Sequence, residues 1–476
     1  MGNAPPPEAA PTQEPINLMR GWPSRTLLPA ALIRNAANQA LSSPSISADA
    51  LLYGPDHGYP PCREAVAHWL TTFYTPKSPI ASSRICITGG ASQNLGSLLA
   101  VYTDPTYTRT IWIVAPAYML AFRVFEDAGF GRGKMRAVPE DEEGVDLGFL
   151  EREMRKSEEE AAKKGWARPQ YKPERKRAKV YKHIIYCVPT FANPSSRTMS
   201  LEHRTQLVKI ARAYDALLIA DDVYDCLQWP ADAKTDKQSL AAMTTAHLPR
   251  LVDIDRTLLG GAERYGADWF GNACSNGSFS KIVGPGVRVG WVEGTGKFAD
   301  GVSQCGTTAS GGAPSQLTST YITLLLTSGA LENHIQFILR PAYALRYRIL
   351  VNAIEQHLLP LGFSLPQPDR KVVGGYFVWL ALPTGLSAER LAQRCKDDEN
   401  VVVAPGTIFE VPGDEKVGGF DGHVRLCFAW EEEGLLEIGV QGIARAAVRM
   451  MDERVGGGEA FGAREGGSGV CMDVYK

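Results

Sequence analysis

Four short segments in the first half of the chain each contain an apolar run that ends at glycine, proline or an acidic residue. They are SRICITGG (83–90), TIWIVAPAY (110–118), KHIIYCVP (182–189) and ALLIADDVY (216–224). Continuous apolar runs without a polar residue at every second position are typical of strands that are buried on both faces. From the amphipathic segment REAVAHWLTTFY (63–74) onward, helical and strand signals alternate. The pattern therefore predicts a mostly parallel sheet that is covered by helices.

Composition and charge narrow the class of protein. The chain has 476 residues, of which 44% are hydrophobic, so it can bury a large core, and its length favours two or three domains. Its formal net charge of -2 is made of both signs spread along the sequence, without the basic stripe that is typical of nucleic-acid binding. The nine cysteines are scattered and lack a C-x-x-C spacing, so we expect reduced thiols, no disulfide framework and no metal site. The N-terminus lacks the apolar core of a signal peptide and no run of eighteen apolar residues occurs, so we expect a cytoplasmic protein without a membrane partner.

One lysine is set between two serines in the stretch GSFSKIVGPGVRVGW (277–291). A lysine that binds a phosphorylated aldehyde cofactor needs hydroxyl groups, backbone amides and a fixed cation nearby for the phosphate. Ser278, Ser280, Lys281 and Arg288 supply the lysine, the hydroxyls and the cation, and the Gly-Pro-Gly between them predicts a turn that returns Arg288 to Ser278. Such a stretch is also typical of a surface turn, so by itself it leaves both interpretations open.

Polar side chains at two other predicted strand ends favour the cofactor interpretation. Asp221 ends an apolar run and could keep a pyridine nitrogen protonated, while Tyr224 could donate a hydrogen bond to a phenolic oxygen. Asp221 is also suited to cap a helix. Asn193 follows another strand in PTFANPSSR (189–197), where an ordinary Asn-Pro turn is the alternative.

Two further strand ends carry weaker signals. In ITGGASQN (87–94), Gly90, Ala91 and Ser92 precede a predicted helix, which suits a phosphate bound by the amides of a helix end. A glycine pair before a helix is common, so the motif alone is not specific. Tyr118 follows the next strand and could lie flat on an aromatic ring or simply be exposed.

Taken in order, these motifs resemble the class I/II aminotransferases of pyridoxal phosphate fold type I, in particular the branch with 2-aminoadipate and aromatic amino acid aminotransferases. The resemblance runs from GWPSRTLLP (21–29) to HVRLCFAW (423–430). It implies pyridoxal 5'-phosphate as cofactor and Lys281 as the Schiff-base lysine. The other cofactor contacts that it implies in this subunit are Gly90, Ala91, Ser92, Tyr118, Asn193, Asp221, Tyr224, Ser278, Ser280 and Arg288.

The resemblance also implies a substrate site and a second subunit. Arg425 matches the arginine that binds the α-carboxylate of the substrate, Gly21 matches the loop that closes over it, and Asn193 contributes to the same site. The segment YGPDHGYPPCREAVA (53–67) is similar to one whose tyrosine reaches the phosphate in the neighbouring subunit. Tyr53 therefore implies a homodimer.

An α/β fold is expected on the same grounds, with a mostly parallel, seven-stranded sheet in a large domain and a smaller α+β domain. The expected division is an N-terminal arm with part of the small domain (1–45), the large cofactor-binding domain (46–330), the small domain (331–455) and a flexible tail (456–476). Two departures from the family pattern are NPSSR (193–197), where N-P-T-G is usual, and a long connection over 227–276. This connection could rim the site or extend a dimer contact.

The expected activity is transfer of an amino group from an L-amino acid to a 2-oxo acid by a ping-pong mechanism, with Lys281, Asp221 and Tyr224 as catalytic residues. A lyase that performs β-elimination, replacement or ring closure would share every cofactor contact. A regulator that uses the fold as an effector sensor is a third alternative.

Overall fold

The computed structural model describes residues 14–131, 133–231, 243–365, 370–415 and 417–456, the side chains of 455 and 456 excepted. Residues 1–13 of the predicted N-terminal region and residues 457–476 of the predicted tail lie outside these residues. Numbered in chain order, the strands of the described part are β1 Ile16–Asn17, β2 Ile85–Thr88, β3 Thr110–Ala115, β4 Met135–Pro139, β5 His183–Cys187, β6 Ala216–Asp221, β7 Gln228–Pro230, β8 Ala273–Ser278, β9 Gly290–Glu293, β10 Val372–Gly374, β11 Phe377–Ala381, β12 Val401–Val402, β13 Ala404–Pro405 and β14 His423–Cys427.

The helices alternate with these strands through the first 330 residues and dominate the chain after that. Their bounds are Ala30–Ser42, Pro44–Leu51, Pro60–Tyr74, Ala91–Tyr102, Met119–Asp127, Leu147–Lys163, Leu201–Ala213, Leu251–Thr257, Gly296–Ser303, Gly306–Ala309, Gln316–Thr327, Ala330–His334, Arg340–His357, Ala388–Glu399 and Glu433–Gly456. A π-helical turn, Ile335–Leu339, joins the two helices on either side of it. Shorter 3-10 turns include Arg25–Leu27, Phe279–Lys281 and Pro285–Val287.

A seven-stranded sheet forms the centre of the fold, in the order β2-β9-β8-β6-β5-β3-β4. Only β9 runs against the others, because it pairs antiparallel with both β2 and β8 while the remaining neighbours pair in parallel. Alternate residues of β3 enter two different cores: Ile111 and Ile113 pack on one side of the sheet, and Trp112 and Val114 on the other. Burial of both faces explains why the strand segments are continuously apolar. The predicted mostly parallel α/β fold is confirmed.

A smaller antiparallel sheet, β11-β14-β13, lies in the C-terminal part of the chain. The helix Glu433–Gly456 packs against the helices Arg340–His357 and Ala388–Glu399 beside it. The N-terminal strand β1 pairs in parallel with β12, through Ile16 and Val401. This pairing brings the residues just after position 17 next to the C-terminal strands, although they lie more than 380 positions apart. The domain boundaries expected above stay a prediction.

The long connection predicted over 227–276 divides into parts that lie in different places. Residues 228–230 form β7, which pairs with β10, and the last residues, from Ala273, already belong to β8 of the central sheet. Residues 258–272 come directly before β8, which runs parallel to β6, so they lie at the edge of the sheet where these strands begin. Asp221 lies at the opposite edge, where β6 ends. Residues 258–272 therefore do not rim the predicted site, because the site follows the strand ends.

In the described ranges, none of the helices is both long enough and apolar enough to cross a bilayer. No group of three or more histidine, cysteine or acidic side chains in those ranges is placed to bind a metal ion. The eight cysteines found there are buried and are not joined in disulfides.

Candidate active site

Twelve of the fourteen predicted site residues line one cavity of about 520 Å³. It lies where the strands of the central sheet end and where the N-terminal segment 19–23 and the small sheet meet that edge. The predicted residues that line it are Gly21, Ala91, Ser92, Tyr118, Asn193, Asp221, Tyr224, Ser278, Ser280, Lys281, Arg288 and Arg425. Parallel strands bring their carboxyl ends to one edge, which explains how residues from 91 to 288 converge.

Lys281 lies at the end of the 3-10 turn Phe279–Lys281 that follows β8. The hydroxyl of Ser278 begins this turn by accepting a hydrogen bond from the backbone N–H of Ser280, at 3.1 Å. The amino group of Lys281 donates to the carbonyl oxygen of Gly21, at 2.7 Å. Burial lowers the pKa of Lys281 to about 8, although Cys427 and Asp221 act to raise it. A buried lysine of lowered pKa is the kind of amine that attacks a carbonyl carbon at neutral pH.

Asp221 is buried at the end of β6, and one of its two carboxylate oxygens accepts no hydrogen bond from the described residues. Its Oδ2 accepts a hydrogen bond of 2.9 Å from the hydroxyl of Tyr186, on the neighbouring strand β5. Its Oδ1 is buried, and no described residue binds it. Burial raises the pKa of Asp221 to about 6, against the effects of the Tyr186 hydrogen bond and of Lys281. A buried, unpaired carboxylate oxygen costs free energy unless a donor meets it, and the protonated ring nitrogen of pyridoxal phosphate is such a donor.

Arg288 and the turn before the helix Ala91–Tyr102 form a cradle suited to a phosphate. The guanidinium of Arg288 donates to the carbonyl oxygens of Gly89, at 2.6 Å, and Pro285, at 2.9 Å. Gly90 has a φ of +103°, and a Cβ at this position would lie 2.8 Å from Nη2 of Arg288, so a side chain there would push the arginine away. The first turn of the following helix offers N–H groups that lack partners within the helix. These residues fit the phosphate group of the expected cofactor.

Arg425 lies on β14 and is 3% exposed. Its Nη1 donates to the side-chain oxygen of Asn193, at 2.7 Å, and its Nη2 donates to the carbonyl oxygen of Met19, at 2.5 Å. The rings of Phe377 and Phe409 lie 4.0 and 4.8 Å from its guanidinium carbon. Burial lowers the pKa of Arg425 to about 10, so the group is still charged at neutral pH. A fixed planar guanidinium is suited to bind a carboxylate through two parallel hydrogen bonds.

The two tyrosines of the cavity are buried to different degrees. Tyr118 begins the helix Met119–Asp127, and burial raises its pKa to about 12. Tyr224 is fully enclosed, with its ring 5.6 Å from Tyr376 and 6.0 Å from Phe377, and burial raises its pKa well above the usual value. Both hydroxyls therefore keep their protons at neutral pH and can act as hydrogen-bond donors.

The unusual NPSSR sequence forms a turn that joins the two sheets. Ser195 donates to Glu140 at 2.8 Å, beyond the end of β4, and Ser196 donates to the carbonyl oxygen of Phe377 in β11, at 2.6 Å. Phe377 in turn packs on Arg425. The serines that replace the usual residues thus anchor Asn193 between the large sheet and the ring beneath Arg425.

Tyr53 stands apart from the cavity. Its side chain is 90% exposed, and the two residues before it, Leu51 and Leu52, are 69% and 68% exposed. Within one chain Tyr53 is not among the residues that line the cavity.

The residues of the site that were not predicted from the sequence include Tyr186, Phe377 and Met19. Tyr186 carried a signal, because a tyrosine within an apolar buried strand needs a partner for its hydroxyl. No sequence signal pointed to Phe377 or Met19. Their roles depend on contacts with Arg425 across more than 40 and 400 positions.

Comparison with known proteins identifies the family. Residues 17–443 match the family model described as aminotransferase class I and II. The chain belongs to this aminotransferase family. An uncharacterized protein of Saccharomyces cerevisiae is 35% identical to it over 90% of this chain and 95% of that protein. Aromatic-amino-acid aminotransferase 1 of Thermococcus litoralis is 26% identical over 91% of this chain and 88% of that protein.

The fold of this aminotransferase is that of solved members of the family. The crystal structure of a multiple substrate aminotransferase from Thermococcus profundus matches it with a TM-score of 0.71 and 25% identity, over 93% of each chain. The resemblance noted in the sequence is thereby confirmed, and the enzyme is a pyridoxal phosphate-dependent transaminase.

Proposed function

We propose that this aminotransferase moves the amino group of an L-amino acid to a 2-oxo acid by a ping-pong mechanism, with Lys281 as the lysine that bonds the cofactor. One observation carries the proposal. Arg425 and Lys281 bind the carbonyl oxygens of Met19 and Gly21, which are only two residues apart. The carboxylate-binding group and the amine are therefore separated by a span that suits an α-amino acid.

In the proposed mechanism, Arg425 binds the α-carboxylate of the substrate through two hydrogen bonds. The carboxylate replaces the carbonyl oxygen of Met19 as the acceptor for Nη2. Asn193, already bonded to Arg425, keeps the guanidinium in orientation. This anchoring fixes the rotation of the substrate, so that its Cα–H bond can point at the amine of Lys281. Arg425 thus acts mainly by positioning.

Lys281 would then act as the base that takes the proton from Cα of the substrate and holds it for return. The bound cofactor supplies a ring that takes up the electron pair of the broken Cα–H bond. Asp221 would keep the ring nitrogen of the bound cofactor protonated through Oδ1, while Tyr186 holds the carboxylate in place through Oδ2. Tyr224 would donate a hydrogen bond to the phenolic oxygen of the bound cofactor, and Tyr118 would stack on its ring. Its phosphate would be bound by Gly90, Ala91, Ser92, Ser278, Ser280 and Arg288.

The proposal includes a homodimer in which Tyr53 reaches the phosphate of the neighbouring subunit. The exposed run Leu51, Leu52 and Tyr53 supports it, since consecutive large apolar side chains on a surface are typical of an interface. Amino acid and 2-oxo acid substrates are the partners expected, and a cytoplasmic location stays a prediction.

The decisive experiment follows the amino group. The holoenzyme is mixed with one L-amino acid and no acceptor, and we expect one equivalent of 2-oxo acid per active site and no free ammonia. Addition of 2-oxoglutarate should then restore turnover, with parallel lines in double-reciprocal plots. Continuous release of ammonia without an acceptor would instead identify a lyase and contradict the proposal.

A further inference from the structure

Arg20 lies between two tryptophans at the wall of the active-site cavity. Its guanidinium carbon is 4.8 Å from the ring centre of Trp22 and 5.1 Å from that of Trp430. The two rings are 5.6 Å apart and meet at 84°, so together they form a cleft around the cation. Arg20 and Trp22 both line the cavity.

The contacts with the rings leave the N–H groups of this guanidinium available. A guanidinium stacked on aromatic rings uses its faces, while its five N–H donors lie in its plane. In the part of the chain that the structure describes, the one hydrogen bond of Arg20 is made by its backbone N–H, which donates to Asn17 at 2.9 Å. Two of the three carboxylates that follow Trp430 have other partners: Glu431 accepts from the backbone N–H of Asn17, and Glu433 pairs with Arg346 at 3.6 Å.

The position of Arg20 relates it to both ends of the substrate. Its two neighbours in sequence, Met19 and Gly21, contact Arg425 and Lys281 through their carbonyl oxygens. A substrate with its α-carboxylate on Arg425 and its nitrogen at Lys281 therefore lies along the segment that carries Arg20. The rest of the substrate extends into the cavity that Arg20 lines.

We propose that Arg20 binds the second carboxylate of dicarboxylic amino acids and 2-oxo acids, with Trp22 and Trp430 holding its guanidinium in place. This inference rests on the proposed transamination. It assigns the enzyme at least one dicarboxylic substrate. A carboxylate is the ligand that satisfies the free edge of a guanidinium best, since both can share two parallel hydrogen bonds. Uncharged substrates bind without this contact and rely on the tryptophan rings.

The test compares Arg20→Gln with Arg25→Gln. Arg25 is a matched control, because it also lies over Trp430, at 4.8 Å, but does not line the cavity. For each protein, the half-reaction is followed with L-glutamate, L-2-aminoadipate and L-tyrosine. We expect Arg20→Gln to lower kcat/KM for the two dicarboxylic substrates by about 10- to 100-fold. The value for L-tyrosine should change less than about threefold, and Arg25→Gln should leave all three values unchanged.

Arg20→Lys provides a second variant, which keeps the charge but loses the fork of N–H donors. It should recover part of the loss for L-glutamate and L-2-aminoadipate. Equal losses for all three substrates in Arg20→Gln, or no loss for the dicarboxylic ones, would overturn the assignment of Arg20 while leaving transamination in place. A wild-type enzyme that converts L-tyrosine but neither dicarboxylic substrate would also overturn it. Failure of the wild type to form a 2-oxo acid from any amino acid would instead remove the proposed function itself.

Discussion

The amino group of Lys281 donates a hydrogen bond of 2.7 Å to the carbonyl oxygen of Gly21, across 260 positions of the chain. Two residues earlier, Met19 binds Arg425 in the same way. The N-terminal segment therefore forms a wall of the active site and covers both groups that the proposed mechanism directs at the substrate. The order in which this segment meets them sets the direction in which a substrate lies.

The reaction of Lys281 with its cofactor should depend on pH. Burial lowers the pKa of Lys281 to about 8, so in cofactor-free protein the unprotonated amine is the majority form above that pH. Below pH 8 the reactive fraction falls about tenfold per unit. We therefore expect the rate of covalent capture of pyridoxal phosphate to rise from pH 6 to 8 and then level off, as measured by stopped-flow absorbance. Lys281→Ala should show no covalent capture, and a midpoint near the ordinary lysine value of 10.5 would contradict the prediction.

Asp221→Asn should slow the chemical step. An amide has no negative charge with which to keep the ring nitrogen protonated, so we expect kcat to fall by about 10²- to 10³-fold while KM changes little. Tyr186→Phe is the control, since it removes only the 2.9 Å bond to Oδ2 and keeps the carboxylate. Its kcat should fall less than about tenfold. Both variants are measured by steady-state kinetics. An unchanged kcat in Asp221→Asn would contradict the role assigned to Asp221.

Arg425→Lys should weaken the binding of every substrate through its α-carboxylate. The lysine keeps a charge but cannot form two parallel hydrogen bonds, so we expect KM to rise by about 10- to 100-fold for donor and acceptor alike. The content of pyridoxal phosphate, read from absorbance, should stay that of the wild type. Loss of the cofactor would show that Arg425 contributes to the cofactor site instead.

Tyr53→Ala should weaken cofactor binding although Tyr53 lies outside the cavity of its own chain. We expect a dimer of the 51.8 kDa chain in sedimentation experiments and about tenfold weaker binding of pyridoxal phosphate in the variant. Leu52→Glu places a charge in the same exposed apolar run and should shift the protein toward monomers. A monomeric wild type, or unchanged cofactor affinity in Tyr53→Ala, would contradict the role of Tyr53.

Much of the central sheet could be predicted from local pattern. The apolar runs at 110–118 and 216–224 contain β3 and β6, because strands buried on both faces need apolar side chains at every position. The convergence of Asp221 and Ala91 follows from the same prediction, since the ends of these strands meet at one edge. The strand β8, which brings Lys281 to that edge, was not among the predicted apolar runs. The sequence also predicted a connection over 227–276, but it did not reveal that residues 258–272 lie at the far edge, because that depends on where β8 begins.

By itself the sequence determined which chemical groups are present, their order, and the strands that bring most of them together. Only the tertiary structure decided which of these groups touch: Tyr186 with Asp221, Met19 with Arg425, and Arg20 with Trp430. Local sequence constrains backbone conformation over a few residues, whereas these pairs are set by how β5 lies beside β6 and how the N-terminal segment packs on the C-terminal strands. Lys281, its two flanking serines and Arg288 therefore lie in one stretch of chain, while the groups around Arg425 come together only in the packed fold.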